Sequence, residues 1–377
     1  MKKIWLLTIL LVGGLLLPGC FENRQNDEIM INTNLISSNE EFLTGSIDFE
    51  DSNINNKASC DSEIHDWILK ECNIEDKCVI DWKKMRCSWV NEIESWAFSK
   101  YMDVEELYIG WLLNSLSEIS KLKNLKALYV KLNNFNDLSP ISWLVNLEIL
   151  DIESNYVSDV SPIKNLINLK SLNLSNNFIS DISPLEKLIN LEELVIHNDI
   201  NPPKISDISV LKNLNNLKYV NLNSNAISDI SPLNNKPFLE TLYLWDNKIK
   251  DISPLKNLVN LKELSLDKNE INDIKPIENL VNLKMLWLSI NQISDISPLK
   301  NLTQMFNLAL NTNNIQDVSA ISWMKELKFL YLWENNISDI SSLENLGKLD
   351  ELFIWKNKIK FDEYPRLNSI RSVWYDR

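Results

Sequence analysis

From about Val104 to Lys360 the apolar positions recur with a period of 22 residues. The stretch Leu261–Asn282 is representative: Leu261, Leu264, Leu266, Asn269, Ile271, Asp273, Ile274, Pro276, Ile277 and Leu280 form its skeleton. The next copy sets Leu283, Leu286, Leu288, Asn291, Ile293, Asp295, Ile296, Pro298, Leu299 and Leu302 at the same offsets. Leu264 and Leu266 alternate with Glu263, Ser265 and Asp267, a period of two that places the leucines on one face of a strand and the intervening residues on the other. The second half of the unit reads Asp-Ile-Ser-Pro-Leu or a near variant of it, as at Asp229–Leu233 and Asp251–Leu255. Ser is a favoured N-cap and Pro suits the first helical position, so each unit is expected to return through a short helical turn. No single coil of this length can bury its own leucines. Each is covered only by its neighbours, so stability sums over adjacent coils and both ends need caps.

One polar position is as regular as the leucines. Asn133, Asn155, Asn177, Asn225, Asn247, Asn269, Asn291, Asn313, Asn335 and Asn357 each follow a strand where the chain must turn. A side-chain amide there can satisfy backbone groups that no strand partner reaches, and stacked coils would align these residues into a ladder. With few glycines in the repeats, the same Asn is expected to take the left-handed turn geometry. The repeated Asp admits a metal-site reading. The simpler reading is a carboxylate accepting backbone N–H groups at a turn, and the Gly-rich spacing of calcium-binding β-helix repeats is missing.

Self-similarity at this period, with this leucine and asparagine spacing, marks a leucine-rich repeat solenoid. About twelve units occupy residues 104–360, and their parallel strands would make an α/β horseshoe with the sheet on its concave side. The fifth unit carries extra residues around His197–Lys204, with Asp199 at its ladder position. After Ile359 the pattern stops, and residues 361–377 read as a C-terminal cap over the last open strand edge.

The segments before the repeats differ in kind. Lys2 and Lys3, the apolar run Ile4–Leu17 and the sequence Leu-Pro-Gly-Cys ending at Cys20 describe an export signal over residues 1–19. The Cys at the cut resembles a bacterial lipobox, which implies cleavage before Cys20 and its acylation; the other reading is an ordinary cleaved signal with Cys20 incidental. Two or more acyl chains hold a protein stably on a membrane. Residues 20–57 are acidic, rich in Asn and Ser and without periodicity, the composition of a disordered tether. Residues 58–103 contain Cys60, Cys72, Cys78 and Cys87, with Trp67, Trp82, Trp89 and Trp96. Trp82, Met85 and Trp89 follow helical spacing, so this segment is expected to form a helical N-terminal cap. Four Cys in an exported chain suggest two disulfides, and their spacing lacks the close pairs of zinc sites. Three pairings are open, and locality alone favours Cys60–Cys72 with Cys78–Cys87.

Charge and chemistry narrow the function. The formal charge of −14 becomes −16 once Lys2 and Lys3 are removed. Such an acidic surface argues against nucleic acid and anionic lipid as partners and leaves the N-terminal lipid as the membrane contact. His65 and His197 are the two histidines, and no catalytic triad, phosphate loop or His–Glu metal motif accompanies them. The reading is a non-enzyme with neither cofactor nor metal. The informative positions are those facing outward from the strands. Across the third to sixth units Tyr219 is the one aromatic among twelve outward positions. Across the seventh to twelfth, eight of eighteen are aromatic: Tyr243, Trp245, Trp287, Phe329, Tyr331, Trp333, Phe353 and Trp355. Strand propensity favours aromatics everywhere, so their concentration in one half points to a localised binding patch. Trp and Tyr dominate binding hot spots. The patch is expected to take a protein or peptide, with glycan stacking as the alternative. Asp246, Asp267, Glu334 and Glu351 border it, which favours basic groups on the ligand.

The unit containing Ile227-Ser228-Asp229-Ile230-Ser231-Pro232-Leu233 resembles the 22-residue repeat class shared by phosphatase-1 regulatory subunits and bacterial internalins. The resemblance implies a right-handed solenoid, a parallel concave sheet and 3₁₀ turns on the convex side. In internalins the concave face binds a host protein. Two departures stand out: the anchor signal resembles a lipobox at the front, and no immunoglobulin-like domain follows the repeats.

Overall fold

The computed structural model describes residues 78–81, 83–88, 102–110, 113–199 and 203–375. The chain divides into two units, 1–58 and 59–377; all described residues belong to the second. The export signal, Cys20, the tether, Cys60 and Cys72 lie outside them.

Among the described residues fifteen strands form one sheet in chain order. They are β1 (Cys78–Asp81), β2 (Lys84–Ser88), β3 (Glu106–Gly110), β4 (Ala127–Tyr129) and β5 (Ile149–Asp151). Next come β6 (Ser171–Asn173), β7 (Glu193–Val195), β8 (Tyr219–Asn221), β9 (Thr241–Tyr243) and β10 (Glu263–Ser265). The last are β11 (Met285–Trp287), β12 (Asn307–Ala309), β13 (Phe329–Tyr331), β14 (Glu351–Phe353) and β15 (Ser372–Trp374). β1 and β2 are antiparallel and every later pair is parallel. The register follows the repeat, with Leu242, Leu264 and Leu286 opposite one another on β9, β10 and β11. All three are fully buried, as are Leu244, Leu266 and Leu288. One continuous core runs from Met85 to Leu367. Each coil returns through a 3₁₀ turn such as Ser253–Asn257, so the horseshoe of strands within and short turns without is the observed architecture.

Three local expectations are corrected. The described part of the N-terminal cap is extended rather than helical over residues 78–81 and 84–88: β2 pairs with both β1 and β3, and alternation buries Met85 and Cys87 while Lys84 and Arg86 face out. A helix there would leave the edge of β3 unpaired, and an open strand edge carries unmet donors and acceptors. The Ser of each Asp-Ile-Ser-Pro turn is not the cap. The residue before it occupies the N-cap position without a side-chain bond, and the Asp carboxylate two residues upstream accepts the Ser N–H at 2.8 Å, as at Asp181–Ser183 and Asp251–Ser253. That donation holds the carboxyls of Asp181, Asp207 and Asp295 below their ordinary value. The left-handed residue is the one before the ladder Asn, not the Asn itself: Leu132, Ser154, Asn176, Asp246, Lys268, Ile290, Thr312, Glu334 and Lys356 all have φ between 53° and 58°. The edge of β14 is covered by the segment after Ile359. Residues 372–374 add a further parallel strand on β14, with Trp374 in register with Phe353.

The ladder itself forms. Asn269 Nδ2 donates to the carbonyls of Leu244, Leu266 and Asp267 at 2.9–3.1 Å, and its Oδ1 accepts the N–H of Ile249 at 3.0 Å. The fifth unit interrupts it, because Asp199 has no donor to offer; there Asn198 Nδ2 bonds Asn225 Oδ1 at 2.8 Å. A second ladder runs before the strands. Asn146, Asn168, Asn190 and Asn282 each donate to a carbonyl of the preceding coil at 2.8–2.9 Å.

Candidate functional site

Parallel register sets the outward residues of neighbouring strands side by side, about 4.8 Å apart. The character of the concave face is then decided by which side chains share a row. In the central row Tyr243, Ser265, Trp287, Ala309, Tyr331, Phe353 and Trp374 are successive neighbours. Ser265 is small, so the rings of Tyr243 and Trp287 meet across it at 6.2 Å, edge to face. Tyr219 joins the same group at 5.7 Å from Tyr243. A second group holds Tyr331 and Phe353 stacked at 5.0 Å, Phe353 and Trp374 stacked at 6.0 Å, and Trp333 and Trp355 stacked at 4.8 Å. Offset stacks and edge contacts at these separations are the favourable aromatic geometries.

The eight aromatics singled out in the sequence therefore do not make one unbroken ring surface. Ala309 stands between the two groups. Phe329 turns to the rim, 5.4 Å from Phe306. Trp245 stands at the other edge, 37% exposed, with the Lys268 ammonium 5.5 Å from its ring centre. Tyr243 is 8% exposed and is a packing residue more than a contact surface. The remainder are half-buried, with one side on the sheet and the other open. Two members were not placed in the patch from the sequence: Tyr219, read there as an isolated outward aromatic, and Trp374, which is 57% exposed and stacked on Phe353. Its 21-residue offset from Phe353 was the available signal. A smaller pair, Tyr108 and Tyr129, stacks at 4.2 Å at the other end of the sheet beneath Arg86.

The electrostatics of the face divide between rim and interior. On the rim Asp246 pairs with Lys268 at 2.9 Å and Glu334 pairs with Lys356, so two of the four expected bordering carboxylates are already neutralised. Asp267 and Glu351 are not. Asp267 lies in the row between Trp245 and Trp333; Ser289 donates its N–H to Oδ1 at 2.7 Å and Ser265 its hydroxyl to Oδ2 at 3.0 Å. Burial outweighs those bonds and pushes its carboxyl up to about 6. Burial likewise pushes the Tyr219 hydroxyl up to about 12. It raises Tyr243 too, whose hydroxyl donates to Glu263.

The first half of the coil offers a different recess. A groove of about 790 Å³ runs along residues preceding the strands, lined by Lys126, Glu148, Lys170, Glu192 and the second Asn ladder. Its charges are spent on each other: Lys126–Glu105, Lys170–Glu148 and Lys218–Glu192 lie 2.5–2.7 Å apart, and the amides bond backbone carbonyls. Among the described residues no cluster of His, Cys, Asp and Glu could hold a metal, and no helix is long and apolar enough to cross a membrane.

Comparison with known proteins agrees with this architecture. The leucine-rich repeat family model matches residues 167–204 and 237–279. An internalin (inlF) from Listeria monocytogenes is 32% identical, with a TM-score of 0.67 over 78% of this chain and 82% of that one. A leucine-rich repeat protein from Leptospira interrogans is 28% identical, with a TM-score of 0.66 over 74% of each chain. A plant peptide hormone receptor, solved in complex with RGF2, is 20% identical with a TM-score of 0.59 over 74% of this chain, a likeness of fold alone. Among curated proteins none matches significantly by sequence.

Proposed function

The chain belongs to the internalin-like leucine-rich repeat proteins, and from that membership we propose that it is a non-catalytic, exported binding protein whose concave face, over β9–β15, holds a protein or peptide partner. One observation carries this reading: stacked Trp, Tyr and Phe rings stand half-open on that face, with no other part of the described structure covering them. Large rings held rigidly by their neighbours bury much area at small entropic cost, which is what binding hot spots require. The polar concave positions of β5–β7 are built on the same scaffold without such rings, so strand propensity by itself does not account for them.

Crosslinking on whole cells followed by capture with the wild-type chain and with the Trp245→Ala/Trp333→Ala variant tests the reading. The partner identified with wild type should bind the variant at least tenfold more weakly, with the variant's circular dichroism unchanged. Equal capture by a folded variant would remove the patch from the mechanism.

The membrane anchor belongs to the same proposal. Cleavage before Cys20 and its acylation would tether the coil through residues 21–57; a Cys20→Ala chain should leave the membrane fraction, and its retention there would argue against the lipid. We further assign the disulfide Cys78–Cys87. Cys87 is disulfide-bonded, and the antiparallel register sets Cys78 directly across from it. Cys60–Cys72 is the pair that remains. Non-reducing peptide mapping that recovers a different pairing would refute both.

A further inference from the structure

The open face has a charge asymmetry that bears on what it takes. The outward positions of β9–β14, three to a coil, contain no Lys or Arg and hold Glu263, Asp267 and Glu351 among the rings. Among the described residues no cation lies within ion-pair distance of any of these three, whereas Asp246, Glu334, Glu240 and Glu192 each have a lysine of their own. On the concave face of the first half Glu106 pairs with Lys84 at 3.0 Å and Asp151 with Lys131 at 3.6 Å, while Glu153 and Glu193 have no such pair among the described residues; what the aromatic half lacks altogether is a cation such as Lys131 at an outward position. Lys268 and Lys356 stand on the rim of the aromatic half and are bound there, and Lys328 lies over the Phe306 ring at its other edge.

Acceptors are also left over inside the patch. Asn307, Phe329 and Glu351 are successive neighbours across β12, β13 and β14. Asn307 Oδ1 and Glu351 Oε2, on either side of Phe329, are buried and have no donor. Buried acceptors without a donor are uncommon and call for a partner. A face of rings, unpaired carboxylates and spare acceptors is complementary to a group that is cationic, flat and rich in N–H. The guanidinium has five donors, cannot be deprotonated and stacks on aromatic rings.

We propose that the partner segment is basic: arginine side chains, with lysine second, enter the concave face over β9–β14, stacking on its rings and meeting Glu263, Asp267 and Glu351. The inference rests on the docking of a protein or peptide at this face and adds the chemistry of what docks. The long-range field agrees, since a net charge of −14 draws basic segments towards the chain and the unpaired carboxylates give them one place to settle.

Tryptophan fluorescence of the purified full chain, titrated with a nonapeptide of alternating arginine and glycine, a lysine counterpart and a glutamate counterpart, is the direct test. The arginine probe should bind, the lysine probe more weakly, and the glutamate probe not at all. Glu263→Gln/Asp267→Asn/Glu351→Gln, which keeps every acceptor oxygen position filled by an amide of the same shape, should weaken the arginine probe at least tenfold. Glu351→Gln alone should weaken it about threefold, which serves if the triple variant folds poorly. A control with the same charge change on the turns of the opposite side, Glu186→Gln/Glu278→Gln/Glu344→Gln, should shift it less than twofold. Equal weakening by both triple variants would mean diffuse attraction only and overturn the proposal, as would an arginine probe that does not bind. If the captured partner is lost by Trp245→Ala/Trp333→Ala yet holds the neutralised concave variant unchanged, docking on the rings stands and a basic partner does not.

Discussion

The coils around β5–β7 and those around β9–β14 are built identically on the inside and differently on the outside. Leu150, Leu172 and Leu194 are as fully buried as Leu264, Leu286 and Leu308. Asn177 makes the same three donor bonds as Asn269, to Ile152, Leu174 and Ser175 in the one coil and to Leu244, Leu266 and Asp267 in the other. Facing out, the first group offers Asp151, Asn173 and Val195, and the second offers Tyr243, Trp287 and Tyr331. The lesson is a division of labour. Positions that point inward, or that close the turn, are held by a stacking requirement every coil shares. Positions that point outward have no such requirement and can be spent on recognition.

That comparison can be broken most forcefully at the ladder. Asn177→Ala and Asn269→Ala each remove four hydrogen bonds and leave one buried N–H, of Val157 or of Ile249, without a partner, while the carbonyls of Ile152, Ser175, Leu244, Leu266 and Asp267 each keep a second donor, a loss of roughly 1–3 kcal/mol. Urea denaturation should give the two variants the same loss within about 1 kcal/mol. A clear difference would show that the halves are not equivalent scaffolds. Next in size is Asp267, which belongs to the aromatic half alone. Its folded pKa lies above its unfolded value, so the folded state holds the proton more tightly. Stability from this group is present below about pH 4 and is lost as pH rises through about 6. Asp267→Asn should therefore raise stability at pH 7 by up to about 3 kcal/mol and flatten the slope between about pH 4 and 6. A variant whose pH profile parallels wild type would contradict a buried, unpaired carboxylate. The smallest expected change is at Ile290, a β-branched residue held at φ 55° and 47% exposed on the rim of the aromatic half. A left-handed backbone costs an L-residue roughly 1–2 kcal/mol, and Asn tolerates it better. Ile290→Asn should stabilise the coil by about 1 kcal/mol, and Ser154→Asn, at the same turn of the polar half, by less. Equal gains at the two sites would show that the side chain at this turn does not matter.

Much of the candidate site was legible because it obeys the same offsets as the core. Once Leu264 and Leu266 point inward, Ser265 and Asp267 must point outward, and so the positions of Trp287, Tyr331, Trp333, Phe353 and Trp355 on one face follow from counting. Whether those rings touch does not. It depends on the size of the residue between them, which is why Ser265 joins Tyr243 to Trp287 while the ring contacts stop at Ala309. It also depends on the rim, where Lys268 and Lys356 take two carboxylates out of play and leave Asp267 and Glu351 in. The helical reading gave way to a strand over residues 84–88 for a related reason. Spacing alone suits either a helix face or a strand there, and the unpaired edge of β3 decided for the strand.

Periodicity alone determined that this protein is a stack of short coils, which residues stay dry and which meet solvent, because leucines at fixed offsets have no other way to be buried. Tertiary structure alone decided where the left-handed residue of each turn sits, which strand ends the sheet, how the rings group and which charges remain unpaired. Each of those depends on what the adjacent coil places within a few ångströms, and that distance is set by the stacking of whole turns, not by any one of them.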